Sequence, residues 1–348
     1  MRIAIVNDMN LALACLRKVV ESDGQHEIAW TALDGRQAVD YCTADLPDLI
    51  LMDLVMPVMD GAEATREIMA QTPCPILIVT ASMGQNSELV YEAMGYGALD
   101  ATVTPTLGPG GDFSGAQPLI EKIDRIGLIS GKSAQIATTG LTAPGFVPGQ
   151  GQQNPSDLPP FIAIGSSTGG PQALATILGC LNADFNGSIG IVQHVDPKFA
   201  QGLADWLDAR CALPVVMAEA GLIPEKGHVY IAGIDAHLKV QPSGCFEFSR
   251  EPAHLVNRPA VDVFFKSLAA NWPAPGVALL LTGMGRDGAE GLKMLRERGW
   301  RTIAQDEETS IVFGMPKAAI QIGAAHETLP LQLIGPTAIK RLATFERE

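Results

Sequence analysis

Short apolar runs without a polar interruption recur along this chain, and each stops at a polar or glycine-rich turn. Ile3-Ala4-Ile5-Val6 runs into Asn7-Asp8, Leu49-Ile50-Leu51-Met52 into Asp53, residues 76–79 into Thr80, and residues 161–164 into Gly165-Ser166-Ser167. A strand that is apolar on both faces must be covered on both faces. A parallel sheet flanked by helices does this; an antiparallel sheet with one wet face does not. Residues 11–20 and similar stretches between the runs carry helical apolar spacing, so strand and helix alternate. Further strands are expected at 28–33, 189–192, 229–232 and 277–281. Pro242-Ser243-Gly244 reads as the turn of a hairpin joining 238–240 to 246–248. The fold class is α/β.

A chain of 348 residues accommodates two domains at roughly 150 residues each. A last helix of the first region is expected at 114–128. Residues 131–160 turn to Ser, Thr, Gly, Gln and Pro, which offer little apolar surface to offset the entropy of ordering. The resulting division is 1–125, a flexible linker at 126–158, and 159–348. The formal charge of −14 is concentrated at the front, where residues 1–125 hold 7 Lys and Arg against 18 Asp and Glu. Such a face is unsuited to nucleic acid, whose phosphates need cations. The six cysteines form no C-x-x-C pair, which predicts reduced thiols and neither a disulfide framework nor a zinc site. The opening MRIAIVND is a strand and not a signal peptide. No run approaches the ~20 apolar residues of a membrane span, so the expected location is cytoplasmic, without membrane insertion.

Two constellations carry chemistry. In the first, Asp8 and Asp53 each follow a parallel strand and Thr80 follows another, so all three are expected at one crevice. Two carboxylates and a hydroxyl suit Mg²⁺ beside a phosphoryl group; a helix-capping role for Asp8 is the ordinary alternative. VND at 6–8, LMDLVMPVMDG at 51–61, VTAS at 79–82 and the GALD…P stretch at 97–105 together resemble a response-regulator receiver domain over about 1–125. The resemblance implies a flavodoxin-like fold, with Asp53 as phosphoacceptor. It also implies Mg²⁺ held by Asp8 and Asp53, with Thr80 meeting the phosphoryl group. Three positions depart from that pattern: Asn7 replaces an acid, Thr104 the usual lysine, and Ala101 the usual aromatic switch residue.

In the second, Gly165-Ser166-Ser167-Thr168-Gly169 fits G-x-S-x-G between a strand and a helix. Ser167 is the central candidate nucleophile, with Ser166 expected to cap the turn. A Gly-rich loop at a helix start would also suit a phosphate, although the lysine of a P-loop and the G-x-G-x-x-G of a dinucleotide site are both absent. His194 closes the next strand and Asp287 ends a loop after another, so a Ser167, His194, Asp287 order fits strand-end geometry. His228, His237 and His326 read as ordinary residues. A phosphorylation-controlled binding module without catalysis is the other class of function open to such a chain.

AIGSSTGGPQAL, IVQHVDPKFAQGLADWL, VNRPAVDVFFKSLA, LTGMGRDGAEGL and AQDEETSIVFGMPKAAI resemble the catalytic domain of chemotaxis protein-glutamate methylesterases, the CheB family. The match spans about 159–345. It implies a doubly wound parallel-sheet domain that hydrolyses glutamate methyl esters on chemoreceptor-type proteins and deamidates receptor glutamines. It also implies Ser167, His194 and Asp287 as catalytic residues, Thr168 and Met284 lining the site, and no cofactor for hydrolysis. The implied partners are a methyl-accepting receptor and a histidine kinase of the CheA type, with the unphosphorylated receiver limiting access to the site. Arg258 in NRPAVD is a candidate contact to an acidic receptor helix, or an ion pair within the domain. The opening MRIAIVNDMNLA further resembles the Wsp-type subgroup, whose receptor arrays feed a diguanylate-cyclase pathway.

Overall fold

The computed structural model describes residues 1–22, 24–81, 87–106, 114–129, 158–255 and 257–345. The chain divides into two compact units, Met1–Ala143 and Pro144–Glu348.

In the first unit the strands are β1 (Arg2–Val6), β2 (Glu27–Ala32), β3 (Leu49–Met52), β4 (Ile76–Thr80) and β5 (Asp100–Val103). They alternate with α1 (Asn10–Glu21), α2 (Gly35–Ala44), α3 (Gly61–Gln71), α4 (Ser87–Gly95) and α5 (Gln117–Ile129). All pairings are parallel, in the order β2-β1-β3-β4-β5, which is the flavodoxin-like arrangement. Ile3, Ile5, Leu49, Leu51, Leu77 and Val79 form one core with Leu16 and Val20 of α1 and Leu119, Ile123 and Ile126 of α5. Their neighbours Ala4, Ile50 and Ile78, on the opposite face, are equally buried, which accounts for the unbroken apolar runs. Side chains set the helix starts: Asp34 accepts from Gln37 N–H and Asp60 from Glu63 N–H.

The second unit contains β6 (Phe161–Ser166), α6 (Gly170–Leu178), β7 (Ser188–Gln193), α7 (Pro197–Asp208), β8 (Val215–Met217) and β9 (His228–Ile231). There follow the hairpin β10 (His237–Val240) and β11 (Phe246–Ser249), then α8 (Val261–Asn271), β12 (Val277–Leu280) and α9 (Ala289–Glu297). The unit ends with β13 (Arg301–Gln305), α10 (Met315–Gln321), β14 (Glu327–Leu329) and α11 (Leu331–Phe345). Seven strands form a parallel sheet in the order β14-β13-β12-β6-β7-β9-β8. Phe161, Phe264, Phe265, Leu280 and Trp300 are fully buried in its core. A Cβ at Gly190 would lie 2.7 Å from the Phe264 ring and 2.8 Å from that of Phe161, so this strand residue must be glycine for both rings to lie on the sheet.

The chain starts this sheet in its middle at β6 and builds outward through β7. It then returns to the other side of β6 with β12. Such a switch point leaves a crevice at the carboxyl ends of the strands, where ligands bind in open α/β sheets.

Four strands fall outside those expected from the sequence, and the first of them, β5, begins on a charged residue and has Thr102 in place of an apolar one. β8 and β14 are three-residue strands at the two sheet edges, and β13 is polar at both ends. α5 continues through Ile129, four residues into the segment expected to be linker, and buries Ile126, the first of them; residues 130–157 of that segment lie outside the described residues. The helix expected at 114–128 opens as a short 3₁₀ turn, Ser114–Ala116.

Candidate active site and phosphoacceptor site

β6 and β7 pair in register as far as Ser166 opposite Gln193, and β12 pairs with β6 as far as Leu280 opposite Gly165. Ser167, His194 and the loop carrying Asp287 therefore leave the same sheet edge from adjacent strands. His194 N–H donates to Ser166 O at 3.0 Å and Ser167 N–H to Thr282 O at 3.0 Å, extending the ladders one step past the strands.

The two serines have different surroundings. Ser166 is fully buried, and its hydroxyl donates to Gln193 Oε1 at 2.6 Å. It does not cap the turn, as the sequence suggested; it is the last strand residue and faces inward. Ser167 is part exposed, and its hydroxyl bonds to no group among the described residues. Gly283 packs against it: a Cβ there would come within 2.7 Å of Ser167 Cβ. Gly169, with φ 76°, turns the chain into α6.

His194 and Asp287 are joined by a 2.7 Å hydrogen bond from Nε2 to Oδ2. Nδ1 is thereby left as the ring nitrogen that can accept a proton, a distinction that sequence could not make. Ser167 and His194 share no side-chain hydrogen bond among the described residues; such bonds commonly tighten only when substrate is in place.

Asp287 is held by more than His194. Val261 N–H donates to Oδ2 at 2.8 Å and Asp262 N–H to Oδ1 at 2.9 Å. These are the first two N–H groups of α8, so Asp287 caps a helix distant in sequence and not α9, whose N-cap is Gly288. Burial opposes the charge, but the His194 hydrogen bond and charge, with the two α8 N–H groups, outweigh it and hold the carboxyl below its ordinary pKa.

His237, read from sequence as an ordinary residue, supports this arrangement. It is fully buried, its Nδ1 accepts Ala260 N–H at 3.1 Å, and its Nε2 donates to Pro252 O at 3.3 Å. Burial pushes its pKa down, consistent with the neutral ring that an Nδ1 acceptor requires. His326 bonds instead to Thr302 Oγ1 at 2.8 Å.

Several backbone N–H groups near Ser167 have no acceptor among the described residues, those of Thr168, Gly169 and, beyond Gly283, Met284 among them. The Thr168 carbonyl, by contrast, accepts from Thr282 Oγ1 at 2.9 Å, which sets the direction of that turn. Arg258 is paired within the unit. Its Nε donates to Asp235 Oδ1 at 2.9 Å and its Nη1 to Ala253 O at 3.4 Å, leaving Nη2 without a partner among the described residues.

At the first unit's switch point, between β1 and β3, Asp53 is buried while Asp8 is exposed. Asp8 is not a helix cap, since Met9 occupies the N-cap position of α1. Asp53 Oδ1 accepts Leu54 N–H at 2.7 Å and Oδ2 accepts Asn7 Nδ2 at 2.9 Å. Burial, with a smaller push from Asp8, raises the Asp53 carboxyl from its ordinary 3.8 to about 6 against the opposing Leu54 hydrogen bond. Thr80 is buried at the end of β4, and Thr104, whose N–H donates to Thr80 O at 3.0 Å, has a buried hydroxyl without a partner among the described residues. Ala101 lies buried within β5. A buried carboxylate short of compensation beside an exposed one fits a hard divalent cation, which needs one or two carboxylates and keeps several waters. Among the described residues no group of three or more His, Cys, Asp or Glu could hold a metal.

These features make a two-unit protein. One unit is built like a receiver, and the other carries serine, histidine and aspartate at the edge of a doubly wound sheet. The sequence pattern of the CheB methylesterase family matches residues 162–338, and that of the response regulator receiver domain matches residues 3–105. Protein-glutamate methylesterase/protein-glutamine glutaminase 2 of Cupriavidus metallidurans is 50% identical over 339 residues, spanning 97% of this chain and 98% of its own. The relative numbered 3 from Burkholderia orbicola is 50% identical over 349 residues and spans 100% of both chains. The crystal structure of the Thermotoga maritima CheB methylesterase catalytic domain matches with a TM-score of 0.51 at 38% identity, covering 52% of this chain and 98% of that one. The chain belongs to the CheB methylesterase family and carries a receiver domain at its front. No helix among the described residues is long and apolar enough to cross a membrane.

The raised Asp53 pKa has a definite sign. The folded unit keeps its proton to about pH 6, whereas the unfolded chain loses it near 3.8, so the cost of the buried charge grows as pH rises between these values. In chelator, the stability of the first unit is expected to fall by roughly 2–3 kcal/mol between pH 4 and pH 7 relative to Asp53→Asn, which has no such charge. Denaturant melts of both proteins across that range check this; parallel curves would contradict it.

Proposed function

We propose that this protein is a phosphorylation-controlled serine hydrolase. It removes methyl esters from glutamate side chains of chemoreceptor-type signalling proteins and deamidates their glutamines. The observation that carries this reading is the convergence of three elements at one sheet edge. They are a part-exposed Ser167, an Asp287-bound His194, and the undonated N–H groups of Thr168 and Met284. The full-length relatives, protein-glutamate methylesterases/protein-glutamine glutaminases, support the substrate class.

The chemistry follows from these positions. Ser167 Oγ attacks the ester carbonyl while His194 Nδ1 takes its proton. Asp287 keeps the other proton on Nε2 and stabilises the imidazolium that forms. Thr168 and Met284 N–H groups hold the oxygen that becomes negative, a contribution typically worth about 10²–10³ in rate per donor. The tetrahedral intermediate collapses, the C–O bond to methoxide breaks, and His194 returns its proton to release methanol. Water, deprotonated by the same nitrogen, then attacks the acyl-serine and frees a glutamate carboxylate. With a glutamine side chain the leaving group is ammonia. Arg258, through its remaining Nη2, is the proposed contact to an acidic substrate helix.

Asp53 is the proposed phosphoacceptor for a histidine kinase of the CheA type. Asp8 and Asp53 would hold Mg²⁺, which when bound supplies the positive charge that draws phosphoryl oxygens toward the aspartate. Thr80 is the proposed hydroxyl partner of that phosphoryl group, and Asn7 keeps the Asp53 carboxylate oriented. The unphosphorylated receiver limits access to the hydrolase, and phosphorylation relieves this.

Ser167→Ala is expected to abolish methanol release from methylated receptor, while Ser166→Ala retains it; the reverse result would move the nucleophile. A fragment beginning at Asp157 is expected to hydrolyse severalfold faster than the intact unphosphorylated chain. Equal rates in a methanol-release assay would remove restraint by the receiver.

A further inference from the structure

The buried side chain beneath the nucleophile and the base belongs to Gln193, the last residue of β7. It is only 3% exposed and all three of its hydrogen bonds go to the site's own backbone or its serine neighbour. Nε2 donates to Ser167 O at 2.8 Å and to His194 O at 3.0 Å, and Oε1 accepts the Ser166 hydroxyl at 2.6 Å. The orientation of the amide is dictated by chemistry. Carbonyl oxygens can only accept, so the NH₂ end must face them, and the hydroxyl, which can donate, takes the oxygen end.

We propose that Gln193 is a positioning residue which fixes Ser167 and His194 relative to each other by bridging their carbonyls. The assignment of chemical roles to those two residues rests on the hydrolase reading above. β6 and β7 cease to pair at Ser166 and Gln193, with His194 N–H to Ser166 O as the last rung. Beyond that rung the two chains diverge toward different helices. The Gln193 amide is the connection between them at the level of the two functional residues, whose side chains share no hydrogen bond. It is also the only partner of the His194 carbonyl among the described residues, whereas Ser167 O additionally accepts Gly170 N–H at 2.7 Å.

The local sequence makes room for this amide. A Cβ on Gly170 would collide with Gln193 Oε1 and lie 2.9 Å from Ser166 Cβ. The glycine at the first position of α6 therefore accommodates the Gln193 and Ser166 side chains. Misplacement of reacting groups by about 1 Å can cost about 10²-fold in rate, and loss of this bridge would also leave a carbonyl unpaired.

Gln193→Glu keeps the shape but removes both donors, and Gln193→Met keeps the length without polar atoms. A fluorophosphonate probe reports the number of reactive serines by its labelling amplitude and their activation by its rate. In both variants we expect full amplitude at Ser167 with labelling slowed about 10²-fold. The kcat for methanol release should fall by the same factor, with KM within about twofold. Labelling at the wild-type rate in both variants overturns the proposal. So does a lost amplitude with an unchanged rate in the remaining fraction, since Gln193 would then matter only for folding. Wild-type labelling that Gln193→Glu slows, with no methyl-ester turnover by either protein, leaves the positioning role standing and rejects the esterase reading. An unlabelled wild-type Ser167 overturns both.

Discussion

In-register pairing of β6 with β7 on one side and β12 on the other underlies the whole of the second unit's site. Parallel strands in register end together, and the residues that follow them emerge at one edge. Ser166 opposite Gln193 and Gly165 opposite Leu280 thereby bring residues 167, 194 and 287 together, though more than a hundred residues separate the first from the last. A one-residue slip of β7 would turn His194 to the other face of the sheet. Fully buried side chains on both sheet faces, among them Phe161, Ile191, Val192 and Leu279, resist such a slip.

The two units treat a carboxylate withdrawn from water, Asp53 buried and Asp287 largely so, in opposite ways. Asp287 is surrounded by groups that favour an anion: the His194 ring N–H and the first two N–H groups of α8, whose dipole end is positive. Its pKa stays low despite burial, so it remains a fixed negative charge that can hold one histidine tautomer. Asp53 meets the neighbouring backbone N–H groups of Leu54 and Val55 and one neutral amide, with no cation, and faces the charge of Asp8. Its pKa rises, which leaves its charge short of compensation until a cation or an acyl phosphate changes the balance. A permanent orienting charge suits a triad, and an uncompensated one suits a switch.

Much of this is legible in the residues themselves. The apolar runs announce the buried parallel strands because both faces of each are covered. The G-x-S-x-G elbow, and the polar residues after the strands, mark the residues at the sheet edge. Less is legible where the deciding partner is remote. Asp287 lies just before α9 in sequence, but the N–H groups it accepts lie 25 and 26 residues upstream. Nothing near His237 in sequence says that it accepts the N–H of Ala260. Asp8 reads as a plausible cap for α1 and is not one. Arg258 reads equally as a substrate contact or an internal ion pair, and two of its donor nitrogens are taken by Asp235 and Ala253.

Hydrophobic periodicity and turn chemistry act over a few neighbours. The order of amino acids is therefore enough to specify the alternation of elements, the two-unit organisation and the identity of the residues at each strand end. Long-range packing settles which of two adjacent serines faces the crevice. It also settles which ring nitrogen of His194 stays open, and that Gln193 joins the backbone of Ser167 to that of His194. These features depend on hydrogen bonds between segments distant in sequence, and the direction of such a bond is set only once both partners are held in place.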